Sequence, residues 1–454
     1  MTTPVRLRLT AVELFERPVT LRLPFRFGAA TVTECPQAFV RVDAEVEGRS
    51  VRGATAELMV PKWFDKSPAL SHEQNFGQLR TALRLAREAY LAHTGASTPH
   101  ALSQRAGAEA IAQGVALGLP RLAAQFGPAQ LDKAVADAAL RAAGLGWCDG
   151  LRAGLLGDPW TGTGGLPIVQ VPSVALRHTV GLADRLTDDD PGTDPQDGLP
   201  ATLAQAIAAQ GLRWFKLKLC GDAERDIARL RAIAALLARA APDHRVTLDG
   251  NETFADVAAL ARAWQRITAE PALAPLLART VLLEQPIARA HALDEPIGTA
   301  VTGIPVILDE SDDDDDVFER GLALGYAGIS SKACKGLYRS LHHAARVAQD
   351  PRRLLSGEDL TCQAGLAVQQ DTLLATSLGV AHVERNGHHY VDGFGVATAA
   401  EADAFGRAHD GFYRRDGGRV RLAVRDGTLD LRSLHVPGFA SAVAPHWASL
   451  DPLP

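Results

Sequence analysis

Three short apolar runs each end in a carboxylate: Val246-Thr247-Leu248 before Asp249, Val281-Leu282-Leu283 before Glu284, and Val306-Ile307-Leu308 before Asp309. The acids stand 35 and 25 residues apart, room for a helix and two loops between successive strands. In a closed parallel barrel every strand C-terminus opens on one face, so three neighbouring strands bring their last side chains to one point. Carboxylates that close repel and raise one another's pKa unless a cation lies between them. Hard oxygen ligands completed by water and substrate suit one Mg²⁺ ion, with Mn²⁺ as a substitute. Any one of these acids could instead cap the helix that follows it. Three on successive strands point to a divalent-ion site.

Lysines flank the acids. Lys216 and Lys218 lie two apart in WFKLKLC, so both project from one face of a strand, here into the barrel, where branched apolar side chains usually sit. Lys332, in GISSKACKG, ends the run after Asp309 and is placed across the barrel mouth from Lys218. Beside a cation and partly desolvated, an amine's pKa falls towards the range of a working base. Two such amines on opposite sides of a bound acid could remove and return a proton. An ion pair of Lys332 or Lys335 with an acid at the rim is the plainer reading. Glu358 and Asp359 end the later run RRLLSGED, which adds Glu358 to the catalytic candidates.

These groups need a scaffold that aligns their strands. The runs VPSVALRH, WFKLKLC, RVTLDGN, TVLLEQP, PVILDES, GISSKAC, RRLLSGED and VAHVERN alternate with helical stretches. Eight βα units in series predict an α/β barrel of the TIM type, with a doubly wound open sheet as the alternative. Ahead of them, LRLTAVELF and FVRVDAEVEG alternate apolar and polar residues as strands do, and 71–157 carries helical spacing, which makes an α+β N-terminal domain. The expected division is 1–160 for that domain, 161–395 for the barrel, and 396–454 for a segment packing back on both. The Asp-rich stretch 188–197 lacks the terminal Glu of a calcium loop and is expected to be a solvated loop at the barrel mouth. The block Asp312 to Asp316 is expected to be the solvated acidic start of a helix.

Composition excludes other classes. The 454 residues carry 47 Lys+Arg against 53 Asp+Glu, a net charge of −6, with no basic run of the kind that binds nucleic acid. The N-terminus MTTPVRLRLTAVELF has no apolar core of a secretory signal, and the Ala-rich runs are too interrupted by charge to span a membrane, so a cytoplasmic protein is expected. Five scattered cysteines without a C-x-x-C pair read as reduced thiols.

Lys-x-Lys (Lys216, Lys218), Asp-x-Asn (Asp249, Asn251), Glu-Gln-Pro (Glu284 to Pro286), Asp-Glu-Ser (Asp309 to Ser311) and the later Lys332, in that order, resemble the enolase superfamily, specifically its muconate-lactonizing-enzyme subgroup. The resemblance implies a modified (β/α)7β barrel under an α+β capping domain. It implies Asp249, Glu284 and Asp309 as Mg²⁺ ligands, with Asn251, Gln285 and Glu310 behind them. Lys218 and Lys332 would be the acid/base pair, and Lys216 would tune Lys218 or touch the substrate carboxylate. The implied chemistry is removal of a proton alpha to a carboxylate through an enediolate, giving racemisation, epimerisation or dehydration of a polar acid. Cycloisomerisation or an o-succinylbenzoate-synthase-like elimination is the alternative within the family. No His stands in the Lys-x-Lys pair, which turns the reading away from the mandelate-racemase branch.

Other features bear on the substrate. Where dipeptide epimerases of the subgroup carry Asp-x-Asp, this chain has His382-Val383-Glu384-Arg385-Asn386, so Arg385 is expected to meet an anionic substrate end. His388 and His389 could reach the mouth, but exposed or hydrogen-bonded structural histidines are the favoured reading. Two segments match the family's mobile capping loops, Pro24 to Thr31 and Ala56 to Lys66, and the second offers Lys62 and Trp63 to substrate. The expected partner is a small-molecule carboxylate, with no nucleic acid or membrane, and family members are often homo-oligomers. Outside the family, Lys332 could form a Schiff base in a metal-free aldolase, or the barrel could be non-catalytic.

Overall fold

The computed structural model describes residues 3–297 and 299–453. The chain opens with an antiparallel meander of β1 (Leu7–Phe27), β2 (Ala30–Val46) and β3 (Arg49–Leu58). The segment expected as a mobile loop, Pro24 to Thr31, is the end of a hairpin: Phe25 pairs with Val32 and Phe27 with Ala30, around a turn at Gly28 with φ +50°. Strand alternation puts the rings of Phe25 and Phe27 on the same face, and both are buried. A free loop would leave them in water.

The helix Arg121–Ala143 packs on this sheet and is buried on nearly every side. The helix His72–Ala92, opened by a capping box between Ser71 and Gln74, approaches it so closely that a Cβ on Gly127 would sit 2.0 Å from the Ala82 carbonyl oxygen. A helix with no solvent face must find partners for its polar side chains. Lys133 meets Glu57 at 3.2 Å, Asp137 accepts the N–H groups of Ala54 and Phe439, and Asp132 accepts the hydroxyls of Tyr90 (2.6 Å) and Ser103 (2.7 Å).

Eight parallel strands follow: β4 (Ser173–Val180), β5 (Trp214–Lys218), β6 (Arg245–Asp249), β7 (Thr280–Glu284), β8 (Val306–Leu308), β9 (Gly328–Ser331), β10 (Leu354–Gly357) and β11 (His382–Glu384). Each pairs with the next, and β11 pairs with β4 through Val383 and Leu176, so the sheet closes on itself and the open-sheet alternative is excluded. In an eight-membered ring β5 and β9 are four places apart and therefore face each other, with β6, β7 and β8 on the arc between them. After the barrel, β12 (Tyr413–Asp416) and β13 (Arg419–Leu422) form a hairpin, β14 (Thr428–Asp430) runs antiparallel to the start of β4, and β15 (Asp451–Pro452) joins the edge of β1. Trp147 stacks on Phe439 with ring centroids 4.1 Å apart, fastening the tail to the N-terminal domain.

One expectation about charged segments is corrected. Asp312 is not solvated: it is fully buried between Lys335 (2.9 Å), His343 (3.0 Å) and Arg339 (3.2 Å). Burial opposes its charge, yet these cations hold its carboxyl well below the usual range. In 188–197, Asp190 caps the N–H groups of Leu186 and Thr187, and Asp197 pairs with Arg22 of β1 at 2.6 Å, so the loop is fastened to the hairpin by its own acids. No helix among the described residues is long and apolar enough to cross a membrane.

Burial raises the Asp132 carboxyl to about 7, against the pull of its two hydroxyl donors. The folded chain then keeps a proton that the unfolded chain has already lost, so this group's contribution to stability falls as pH rises between its unfolded and folded values. Denaturant unfolding of wild type and Asp132→Asn checks this: wild type should lose stability relative to the variant by up to about 1.4 kcal/mol per pH unit from about pH 4.5 to about pH 6.5. Parallel curves would place the Asp132 pKa near an ordinary carboxylate's.

Candidate active site

Lys216 is the centre of the barrel mouth. Two residues below Lys218 on the inner face of β5, its fully buried ammonium lies 2.5 Å from Glu358, 2.7 Å from Glu284, 3.0 Å from Asp249 and 3.1 Å from Glu384. Desolvating an ammonium costs several kcal/mol, and such a site persists only when opposite charges surround it. Burial therefore works against its charge, but Asp249, Glu284, Glu358 and Glu384 outweigh it and hold Lys216 protonated. Glu284 is in the reverse position: burial, then Asp249 and Glu358, push its carboxyl well above the usual range. Neither of its oxygens accepts an aligned hydrogen bond, although Lys216 is close to one.

The other lysines stand on either side of this centre. Lys218 donates to Asp249 Oδ2 at 2.6 Å, while Lys332, just past the end of β9, is ion-paired with Asp309. Asp309 also accepts the Ser330 hydroxyl and lies 3.4 Å from Lys335. Its carboxyl is held far down, since Lys332, Lys335 and Lys216 overcome the cost of burial. The same acids keep Lys332 above an ordinary lysine in spite of burial. The downward shift expected from the sequence depends on a divalent charge among the carboxylates; without one, the carboxylates dominate.

Aromatic rings roof the lysines. Trp63 presents its face to Lys332 Nζ at 4.4 Å, and Phe25 lies 5.9 Å from Lys218 Nζ. With Phe27, Val60, Leu360 and Thr361 they close a chamber of about 20 Å³ over Lys216, Lys218, Lys332 and Glu384. Water-sized at most, it admits an acid only when the roof moves.

The strand ends beneath are held in strained backbone. Asn251, Glu252 and Gln285 have φ of 41°, 66° and 32°, left-handed conformations that cost non-glycine residues about 1–3 kcal/mol each. Side-chain bonds fix them. Gln285 Oε1 accepts the N–H groups of Asp309 and Ser311, Asn251 donates to Glu310 at 3.1 Å, and the Asn251 N–H donates to Asp249 at 2.8 Å. From the cap, Lys66 reaches Glu252 at 2.5 Å and the Asn251 carbonyl at 2.9 Å. Arg289 binds Glu252 and also the carbonyls of Trp63 and Phe64, so the roof is tied to the turn that carries the acids.

Asp249, Glu284, Lys216, Lys218, Lys332 and Trp63 thus meet at one place, with Asp309 beside them. Three further candidates do not face the chamber. The Lys62 ammonium is held by the carbonyls of Ser67 and Leu70 in its own loop. Arg385 is fully buried behind the strand, donating to Thr372 and pairing with Asp371 at 2.9 Å, so it meets no substrate end. Glu358 lies beneath the chamber between Arg177 and Lys216, where it positions Lys216. His388 bonds His178 at 2.9 Å, and burial first of all keeps both it and His389 neutral and far below the ordinary histidine value. Residues not picked out as site residues from the sequence are Glu384, which accepts from Lys216 on the chamber floor, and the roof residues Phe25, Phe27, Val60, Leu360 and Thr361. Only the i, i+2 spacing of the two phenylalanines could have signalled a shared face.

Among the described residues no three His, Cys, Asp or Glu side chains enclose a common metal-sized point. The ammonium of Lys216 stands between Asp249 and Glu284, and Lys332 holds Asp309 to its own side. The donor set nonetheless fits a hard divalent cation: carboxylates end three adjacent strands, and both oxygens of Glu284, Oε2 of Glu310 and Oδ1 of Asn251 are buried without a hydrogen-bond partner.

Residues 199–414 match the enolase C-terminal domain-like family. No curated protein sequence matches the chain. Among solved structures the chain is similar to muconate lactonizing enzyme from Pseudomonas fluorescens complexed with muconolactone (16% identity, 97% of each chain, TM-score 0.62). It is also similar to an enolase from Bradyrhizobium complexed with magnesium and mandelic acid (18% identity, 99% of this chain and 98% of that one, TM-score 0.63). A dipeptide epimerase from Enterococcus faecalis complexed with Mg and L-Leu-L-Tyr gives 15% identity over 95% of this chain and 99% of that one, TM-score 0.61. At these identities the likeness is one of fold.

Removing Lys216 tests what the acids need. In EDTA, Lys216→Met should lower stability by about 3–5 kcal/mol, because it leaves buried carboxylates uncompensated. Millimolar Mg²⁺ should restore most of that loss and raise the variant's melting temperature more than wild type's. Equal melting temperatures in EDTA and Mg²⁺ would deny that a divalent cation answers the same charge.

Proposed function

We propose that this chain is a member of the enolase superfamily, a reading supported by the family match over residues 199–414, and that it is a Mg²⁺-dependent enzyme that removes the proton alpha to a carboxylate. The observation that carries the reading is the placement of Lys218 and Lys332 on opposite strands of one closed ring, both lining a single chamber beside the acids of β6, β7 and β8. An acid bound there has its α-carbon between the two amines. Asp249, Glu284 and Asp309 would hold Mg²⁺, which would supply positive charge beside the substrate carboxylate and so ease loss of the α-proton.

The chain's own residues do the rest. One lysine, as the neutral amine, takes the α-proton; the other, protonated, faces the opposite side of the same carbon. Return of a proton there inverts the centre, which is racemisation or epimerisation. Delivery of a proton to a leaving hydroxyl instead gives dehydration. Trp63, Phe25 and Phe27 close over both amines and keep bulk water from the carbanion. Glu358 and Glu384 fix Lys216 between them, and Gln285 fixes the turn that carries Asp309.

Incubation with Mg²⁺ in D₂O and a pool of acid sugars, N-acyl amino acids, dipeptides and muconates, read by mass, tests the proposal. Wild type should place deuterium at an α-carbon or lose water from one acid. Lys218→Ala and Lys332→Ala should each slow this by about 10²–10⁴-fold, and EDTA should stop it. Turnover that survives EDTA, with borohydride trapping a substrate on Lys332, would refute proton abstraction and favour the aldolase.

A further inference from the structure

The reaction chamber is not the largest space at the barrel mouth. Beside it, under the tip of the β1–β2 hairpin, lies a cavity of about 430 Å³ lined by Arg26, Arg225 and Arg229 together with Lys66, Asn251 and Thr253. Two acids also line it, Asp226 and Glu252, and both are already engaged. Asp226 accepts the N–H groups of Cys220 and Gly221, while Glu252 is shared between Lys66 at 2.5 Å and Arg289 at 2.8 Å. The three arginines are not engaged in this way. Among the described residues none of them has a carboxylate within ion-pair distance; Arg229 gives one terminal nitrogen to the carbonyls of Gly181 (2.6 Å) and Asp184 (3.0 Å), and its buried Nε has no partner. The buried hydroxyl of Thr253 is likewise unpartnered. The cavity therefore carries an excess of positive charge, with Arg26, Arg225, Arg229 and Lys66 against Asp226 and Glu252, and idle hydrogen-bonding atoms, the opposite of the chamber floor.

The wall between the two spaces is thin. Asn251 lines both of them, and the hairpin tip is in van der Waals contact with it, a Cβ on Gly28 lying 3.7 Å from the Asn251 carbonyl oxygen. An acid whose α-carbon lies between Lys218 and Lys332 has this wall, at Asn251, between it and the arginine cavity.

We propose that the arginine cavity is the subsite for a second anionic group on the substrate, so that the acid turned over here is a dianion held at both ends, with Arg26, Arg225 and Arg229 selecting for the distal charge. The inference rests on the proton-abstraction reading for the position of the first carboxylate. Guanidinium groups suit a distal carboxylate because they can donate two parallel hydrogen bonds to it. The cations expected from the sequence to serve the substrate, Lys62 and Arg385, are engaged elsewhere, whereas this trio, among the described residues, lies next to the chamber without a carboxylate at ion-pair distance.

Calorimetric titration of the Mg²⁺-loaded protein with chain-matched pairs tests it: succinate against butyrate, glutarate against pentanoate, adipate against hexanoate, all at equal ionic strength. At least one diacid should bind about tenfold or more tightly than its monoacid partner, the gain from one charge-assisted contact. In Arg26→Gln/Arg225→Gln, two exposed positions whose loss leaves the fold intact, that preference should fall to within about twofold. Butyrate should not gain affinity from added acetate, because the two charges belong to one molecule. Monoacids that bind as well as diacids, an unaltered preference in the double variant, or acetate that substitutes for the second carboxylate would each overturn the subsite while leaving proton abstraction intact. Absence of any Mg²⁺-dependent carboxylate binding would overturn both.

Discussion

The arrangement of the barrel mouth follows from a local excess of buried negative charge. Strand ends on β6, β7, β8, β10 and β11 deliver Asp249, Glu284, Asp309, Glu358 and Glu384 to a space closed to water, and carboxylates cannot remain ionised there without cations. Lys216 meets four of them at once. Lys218 and Lys332 take up the acids at either end of the arc. The two amines are thus held in place by the same electrostatic demand that a divalent cation would satisfy.

Much of the remaining structure serves to keep that charge dry and aligned. Closure of the sheet through β11 and β4 places Lys218 opposite Lys332, which an open sheet would not do. The left-handed turns at Asn251, Glu252 and Gln285 bend the strand ends inward at an energetic cost, and Gln285, Asn251 and Lys66 bond each turn in place. Arg289 and Glu252 then link that turn to the roof carrying Trp63. Acid turn and cap are thereby joined by hydrogen bonds and an ion pair.

The strand ends of the candidate site were clear in the sequence, because a carboxylate or lysine at the end of a short apolar run has few structural uses in a barrel, and Asp249, Glu284, Asp309, Lys218 and Lys332 all stood out on that ground. It was less informative where side-chain direction depends on tertiary packing. Arg385 follows Glu384 by one residue, so strand alternation turns it away from the chamber, to Asp371. Lys62 sits in a left-handed turn that folds its ammonium back on its own loop. Asp312 appeared to belong to a solvated acidic block, yet the cations that bury it come from the helix after β9 and lie 23 to 31 residues away. The roof was legible only as a region: hairpin pairing across Gly28 is what turns Phe25 and Phe27 onto the lysines.

The central claim is that Lys216 holds, among these acids, the charge that a divalent cation supplies in the working site. Anomalous diffraction from crystals grown with Mn²⁺ tests it most directly. The account predicts a single strong peak bounded by Asp249, Glu284 and Asp309, with the Lys216 ammonium withdrawn from between Asp249 and Glu284 towards Glu358 and Glu384. Lys216 unmoved, with no manganese at these three acids, would contradict it.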